Sequence, residues 1–250
     1  MNYLDELVNT VKILRSPEGC PWDREQTHKT IRRNMLEEAY EAVEAIDEDN
    51  PEHLKEELGD VLLQVLLHSQ IADDNGEFNI QDVAKILNDK LIHRHPHVFS
   101  SEKVKNSSEV IVNWEKLKLD EKKERKRTLD GIAATLPALS TAEKISKKVV
   151  QKGFEWKCEQ DVYDCVLSEI DEFKKASSIE DKELEFGDIL FSLVNLARWN
   201  KIDPECALAK ANKKFIKRFN KLESIAKKPL NELSYEEYDK LWKEAKRLTD

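Results

Sequence analysis

Apolar residues recur at three- and four-residue spacing along nearly the whole chain, the period of an amphipathic helix rather than a strand. The pattern predicts helices over residues 2–15, 27–48, 51–73, 80–94 and 107–127, and again over 138–151, 159–176, 180–199, 204–226 and 234–248. In the third of these, Leu54, Leu58, Val61, Leu62, Val65 and Leu66 fall on one face. The interruptions are turn chemistry. Ser16–Asp23 holds two prolines and a glycine and reads as a loop, Asn75-Gly76 reads as a turn, and the helix from residue 80 must end before Pro96. In the second half the breaks fall at Gly153, Ser177-Ser178, Asp203-Pro204 and Pro229. The expected fold class is all-α.

The two halves repeat each other. Leu36-Glu37-Glu38-Ala39-Tyr40-Glu41 and then Glu57-Leu58-Gly59-Asp60 are matched by Leu167-Ser168-Glu169-Ile170-Asp171-Glu172 and then Glu185-Phe186-Gly187-Asp188. Lys90 and Arg94 match Lys214 and Arg218, and Trp114 and Lys118 match Trp242 and Lys246. Internal duplication accounts for four features recurring in one order, at a period too long for a solenoid. A composition shift at Asp130-Gly131 and Pro137 follows a charged run. The expected organisation is a helical domain over 1–120, a linker over 121–135 and a second helical domain over 136–250.

Composition narrows the class. Six glycines and seven prolines in 250 residues leave too few turn-formers for a barrel or sandwich. No G-x-G-x-x-G or G-x-x-x-x-G-K-[ST] occurs, so dinucleotide and P-loop readings lose their warrant. No apolar run approaches the ~18 residues of a membrane span, and the acidic, amphipathic start is unlike a secretory signal, so no membrane partner is expected. A net charge of −9 argues against a nucleic-acid partner. The one basic run, Lys122 to Arg127, follows Asp120 and Glu121 and reads as a solvated linker. Cys20, Cys158, Cys165 and Cys206 form no C-x-x-C, which suggests free thiols in a reducing cytoplasm.

The repeated residues carry the chemistry. Residues three apart on a helix share a face. With Leu58 at the centre of its apolar stripe, Glu57 and Asp60 fall at the border, as do Glu185 and Asp188 about Phe186. The carboxylates are therefore expected along a helix–helix seam. Four of them converging there, Glu169, Glu172, Glu185 and Asp188 or Glu38, Glu41, Glu57 and Asp60, would repel and must take up protons or bind cations. An all-oxygen set suits Mg2+, with Mn2+ as the alternative, better than zinc. Gly59 and Gly187, each costing about 1 kcal/mol relative to alanine in mid-helix, suggest that a neighbouring helix or a ligand approaches the backbone closely. Lys214 and Arg218 lie four apart and repel mildly unless they meet an anion. Trp242 can stack on a base and Lys246 can reach a phosphate or base edge. Together these point to a polyphosphate ester with an aromatic base. Acidic pairs arise often by chance where 50 of 250 residues are Asp or Glu; two pairs on consecutive helices, repeated around the same glycine, argue otherwise. Trp22 is expected to anchor packing, and His93–Phe99 to be a structural loop rather than a zinc site.

The surrounding motifs resemble the MazG family of the all-α NTP pyrophosphatase superfamily. They are Cys20 to His28 (CPWDREQTH), LEEAYE at 36–41, EELGDVLLQV at 56–65, RHPHVF at 94–99, VQKGFEW at 150–156, LVNLAR at 193–198 and KANKKFIKRF at 210–219. The resemblance covers nearly the whole chain. It implies a helical bundle completed by dimerisation and a Mg2+-dependent pyrophosphohydrolase acting on several nucleoside triphosphates, canonical and damaged, as pool house-cleaning. It also implies that the C-terminal domain is the main catalytic site. On it, Glu169, Glu172, Glu185 and Asp188 resemble the metal ligands and Lys214, Arg218, Trp242 and Lys246 the nucleotide-binding positions. Where the family can place a basic residue before Glu185, only Lys182 is near. The N-terminal copy keeps Glu38, Glu41, Glu57 and Asp60, with Lys90, Arg94, Trp114 and Lys118.

All six histidines lie in the first half, so the second half must use a carboxylate such as Glu169 or Glu172, or a metal-bound hydroxide, as proton acceptor. Two rivals are a dUTPase-like all-α hydrolase, which strict dUTP preference would reveal, and a non-catalytic helical adaptor, which would release no pyrophosphate. Each half has few helices with which to bury its apolar stripes, so a homodimer is expected.

Overall fold

The computed structural model describes residues 2–101, 103–120 and 127–249, except the side chains of 108, 111, 115, 116 and 118–120. Among the described residues there are helices and turns but no strand, and no helix is long and apolar enough to cross a membrane. The chain divides into two compact units, residues 1–122 and 123–250.

The first unit is built on α3 (Arg32–Asp47) and α4 (Pro51–Asp74), packed side by side. Three residues join them, so the helices must run antiparallel. Asn50 caps α4 by accepting from the His53 amide, and Pro51 follows in the first turn, where its missing N–H costs nothing. α1 (Tyr3–Arg15) crosses α4, and Val11, Ile31, Leu66, Leu67 and Ile71 form the core between them. α2 (Pro21–Glu25), α5 (Ile80–Arg94), α6 (Pro96–Phe99) and α7 (Ser107–Asp120) complete the unit. The second unit repeats the long antiparallel pair as α9 (Glu159–Lys175) and α10 (Ile179–Trp199). α8 (Ala138–Val150) packs across α10, and α11 (Pro204–Ile225) pairs with α12 (Tyr235–Thr249).

Helix limits follow the periodicity to within one residue except at four places, one of them the expected loop His93–Phe99, where α5 runs to Arg94 and α6 starts at Pro96, a residue preset for a first helical turn. The segment 16–23, expected as a loop, contains the start of α2, because Pro21 is preset for a first helical turn. The helix expected from residue 27 begins at Arg32. Thr27 and Thr30 exchange side chain–backbone hydrogen bonds that close a separate turn. His28 is also pinned to α4: its Nδ1 lies 2.8 Å from Nδ1 of His68. The ring planes differ by 1° and their centroids are 5.1 Å apart, about as far as that N···N distance allows. The rings therefore meet head to head in one plane, through an N–H···N bond rather than a face-to-face stack. Burial, then the neighbouring His28, pushes the His68 pKa down. Finally, the helix from residue 107 is described to Asp120; its expected continuation, and the basic run up to residue 126, lie outside the described residues.

Both units fasten the loop after their first helix with an arginine. The Arg15 guanidinium donates to the carbonyls of Asp23 and Gln26 and pairs with Asp74. Arg198 forms a two-point bridge to Glu155, both contacts 2.7 Å.

Candidate active site

In the first unit α3 presents Glu38 and Glu41 toward Glu57 on α4. One carboxylate oxygen from each lies within 4.8 Å of the others. Glu57 is 8% exposed. Its Oε1 meets Nε2 of His53 one turn earlier at 3.2 Å, while its buried Oε2 has no hydrogen-bond partner. Nδ1 of His53 lies 3.1 Å from Glu48, and that hydrogen bond is the main cause of a raised His53 pKa. Two turns beyond Glu57, Gln64 is 4% exposed. Its Nε2 lies 3.5 Å from Glu38, a long contact, and its Oε1 is buried and unpartnered. Each such orphan costs about 1–3 kcal/mol. Burial, then repulsion from Asp60, Glu41, Glu57 and Glu37, raises the Glu38 pKa.

The second unit builds the same cluster from Glu169 and Glu172 on α9 and Glu185 on α10, again within 4.8 Å. Here the side chains are half-buried or exposed. Burial, then the charges of Glu172, Asp188 and Glu185, raises the Glu169 pKa. The Ser168 hydroxyl donates to Glu172 at 3.1 Å, and the Cys165 thiol lies 3.8 Å from Glu169. Burial first, and Glu169 second, raises the Cys165 pKa. In both units the Asp of the expected set, Asp60 or Asp188, acts on the cluster by charge but stands outside the three-residue group. The orphaned Glu57 oxygen and the proton-hungry Glu38 and Glu169 fit a hard divalent cation, because anionic oxygens crowded in a seam gain most from a positive charge.

The expected cations and aromatics separate the two units. On α11, Lys214 is exposed and Arg218 half-buried, four residues apart. Trp242 of α12 packs on Phe215, the neighbour of Lys214, with ring centroids 5.2 Å apart. Lys246 is exposed one turn further on, and Lys182 is exposed in the first turn of α10. In the first unit Arg94 is 9% exposed and holds its guanidinium 5.5 Å from the Trp114 ring centre. His95 meets the same ring edge-on at 4.7 Å. Lys90 is exposed, and the Lys118 side chain lies outside the described residues.

Three expectations need correction. The stripe centred on Leu58 meets the chain's own core only at its far end, where Leu66 is buried and Leu62 packs against it; Leu58 itself is 54% exposed and Phe186 51%. The α3–α4 contact instead encloses Glu57, because the buried face of α4 is rotated toward Gln64, Leu67 and Ile71. Among the described residues nothing lies within 4 Å of where a Cβ on Gly59 or Gly187 would stand, so of the two expected neighbours it is the neighbouring helix that is missing. Trp22 is 55% exposed and anchors no core. His53, Gln64, Cys165 and Ser168 were overlooked, although each sits four or seven residues from a singled-out carboxylate, on the same helix face.

Comparison with known proteins agrees with these motifs. A family model described as the MazG nucleotide pyrophosphohydrolase domain matches residues 26–99, a span holding Glu38, Glu41, Glu57, Asp60, Lys90 and Arg94. A Thermotoga maritima protein named nucleoside triphosphate pyrophosphohydrolase/pyrophosphatase MazG is 47% identical, over 97% of this chain and 95% of its own. An Escherichia coli nucleoside triphosphate pyrophosphohydrolase is 41% identical over 99% and 98%. A Bacillus subtilis protein, YabN, uncharacterised, is 48% identical over 94% of this chain, which spans 50% of that longer protein. With end-to-end similarity of this depth joined to the paired acidic helices, the chain belongs to the MazG nucleotide pyrophosphohydrolase family.

Proposed function

We propose that the C-terminal unit hydrolyses nucleoside triphosphates to nucleoside monophosphate and pyrophosphate, with Mg2+, or Mn2+ in its place, held by Glu169, Glu172, Glu185 and Asp188. One observation carries this reading: three carboxylates converge within 4.8 Å between α9 and α10 while staying open to solvent. A cation bound there supplies Lewis-acid neutralisation of the phosphate oxygens and a more acidic water. Lys214 and Arg218 offset the charge that develops on those oxygens as the α-phosphorus is attacked. Trp242, its ring set by Phe215, stacks on the base, and Lys246 and Lys182 steer the phosphates. Glu169 or Glu172 accepts the proton of the attacking water, and Ser168 fixes the Glu172 carboxylate for either role.

The substrate range follows from stacking, which every base can satisfy; broad cleavage of canonical and damaged nucleotides in the cytoplasm fits it. The two units are tandem helical domains over 1–120 and 136–250, joined by 121–135. The exposed stripes, with Leu36, Tyr40 and Leu58 in one unit and Leu167, Phe186 and Leu190 in the other, are covered by a second copy of the chain. Sedimentation of Leu58→Glu and Phe186→Glu variants as monomers would support this, and unchanged dimers would refute it.

The activity itself is tested by following pyrophosphate and orthophosphate from a panel of nucleoside triphosphates with and without Mg2+. Pyrophosphate release from several of them, lost on chelation, is expected. Orthophosphate as the product, cleavage of dUTP alone, or no turnover would overturn the reading.

A further inference from the structure

The N-terminal unit contains two buried oxygens with no partner, Oε2 of Glu57 and Oε1 of Gln64, seven residues apart on one face of α4. Both residues are more than nine-tenths buried. Both bear on Glu38: Glu57 lies in its carboxylate group, and the Gln64 amide nitrogen is 3.5 Å from it. An amide that reaches the Glu38 carboxylate only through a long nitrogen contact, with its oxygen unsatisfied, is poor packing for an empty seam; turned over about its last bond, it offers that oxygen to a cation held there. In the C-terminal unit the matching position is Ser192, whose hydroxyl donates back to the Ile189 carbonyl at 2.9 Å and offers the cluster nothing.

We propose that the Gln64 carbonyl is a further, neutral oxygen ligand of a divalent cation held by Glu38, Glu41 and Glu57, and that His53 is the positioning residue that fixes Glu57 for it. The proposal rests on reading the N-terminal carboxylates as a cation site. His53 occupies Oε1 of Glu57 and is itself held by Glu48, so the carboxylate has one free oxygen, turned inward. A neutral donor raises the number of protein oxygens without adding charge. That favours cations that accept more ligands, and Mg2+, which keeps its waters and a strict octahedron, gains least. The two units therefore differ in metal preference: Mn2+ and Ca2+ compete with Mg2+ better at the N-terminal cluster than at the C-terminal one.

The test is calorimetric Mn2+ titration of the full chain carrying Glu185→Gln and Asp188→Asn, which disable the C-terminal cluster. One Mn2+ is expected to remain bound. Adding Gln64→Leu should weaken it by about tenfold or more, and Gln64→Glu, which restores an oxygen, should recover binding. His53→Ala should weaken it by about tenfold, and His53→Gln, which can still donate to Glu57, should recover most of the loss. Without metal, Gln64→Leu should melt no lower than its parent, since an unpartnered amide is removed. Unchanged Mn2+ affinity in Gln64→Leu, with binding still abolished by Glu57→Gln, overturns the proposal alone. Mn2+ binding that ignores Glu38→Gln and Glu57→Gln overturns the cation site itself and the proposal with it.

Discussion

The N-terminal unit buries charged groups at its acidic cluster and beside its tryptophan, and the C-terminal unit leaves the matching charges within reach of solvent. Among the described residues, the first buries Glu57, Gln64, Ser69 and Arg94, two of them charged; the second buries Ser146, Ser192 and Asn195, none of them charged. The aromatics diverge likewise. Trp114 is covered by Arg94 and edged by His95, whereas Trp242 touches only Phe215 among described ring contacts. Two units with the same antiparallel pair of long helices and the same three-residue acidic offsets thus present different surfaces to a ligand. A cation needs only converging oxygens. A nucleotide also needs an open aromatic face and cations within reach of solvent, so it is the accessibility of the helper residues that separates a metal seam from a catalytic one.

That contrast can be broken most sharply at the carboxylates. Glu172→Gln or Asp188→Asn should cut turnover at least about a hundredfold with helicity unchanged by circular dichroism, as loss of several kcal/mol of charge stabilisation requires. Glu41→Gln in the first unit should leave most of the rate. Equal losses in both units would show that both turn over. A fragment starting near residue 130 should retain most of the activity of the whole chain, and one ending near 120 should show little; the opposite result would exchange the roles of the two units.

Smaller effects sharpen the comparison at the aromatics. Trp242→Ala should raise KM about tenfold with little change in kcat, the size of one lost base stack. Trp114→Ala should leave KM alone and lower the melting temperature instead, because that ring serves Arg94. A shared fall in kcat would argue that neither ring stacks on substrate.

The smallest effect concerns stability. Glu169 holds its proton more tightly in the folded chain than a free carboxyl does. Its favourable contribution is present at acid pH and is lost as pH rises through the raised pKa. At neutral pH the ionised cluster strains the metal-free protein. Glu169→Gln should therefore raise the metal-free melting temperature at pH 7 and give no gain near pH 4. A gain independent of pH would mean that repulsion is not its source.

The helices were legible because periodicity, caps and proline positions act within a few residues. Asn50, Ser178 and Asp203 each cap the helix that follows by accepting from the amide three residues on. The acidic pairs were legible for the same reason, since a three-residue offset fixes a shared face. The pinned turn at His28 was not, because its partner, His68, stands forty residues away on another helix. The exposure of Leu58 was not either: one amphipathic pattern is consistent with burial in the chain's own core or against another copy.

The sequence alone determined an all-helical chain, its internal repetition and carboxylates at fixed offsets, all consequences of backbone geometry over one or two turns. Only the tertiary structure decided that α4 turns Glu57 and Gln64 inward and Leu58 outward, and that Arg94 covers Trp114. Those outcomes depend on the rotation of one helix against another. That rotation is set by how many side chains pack together at once, and no local spacing encodes it.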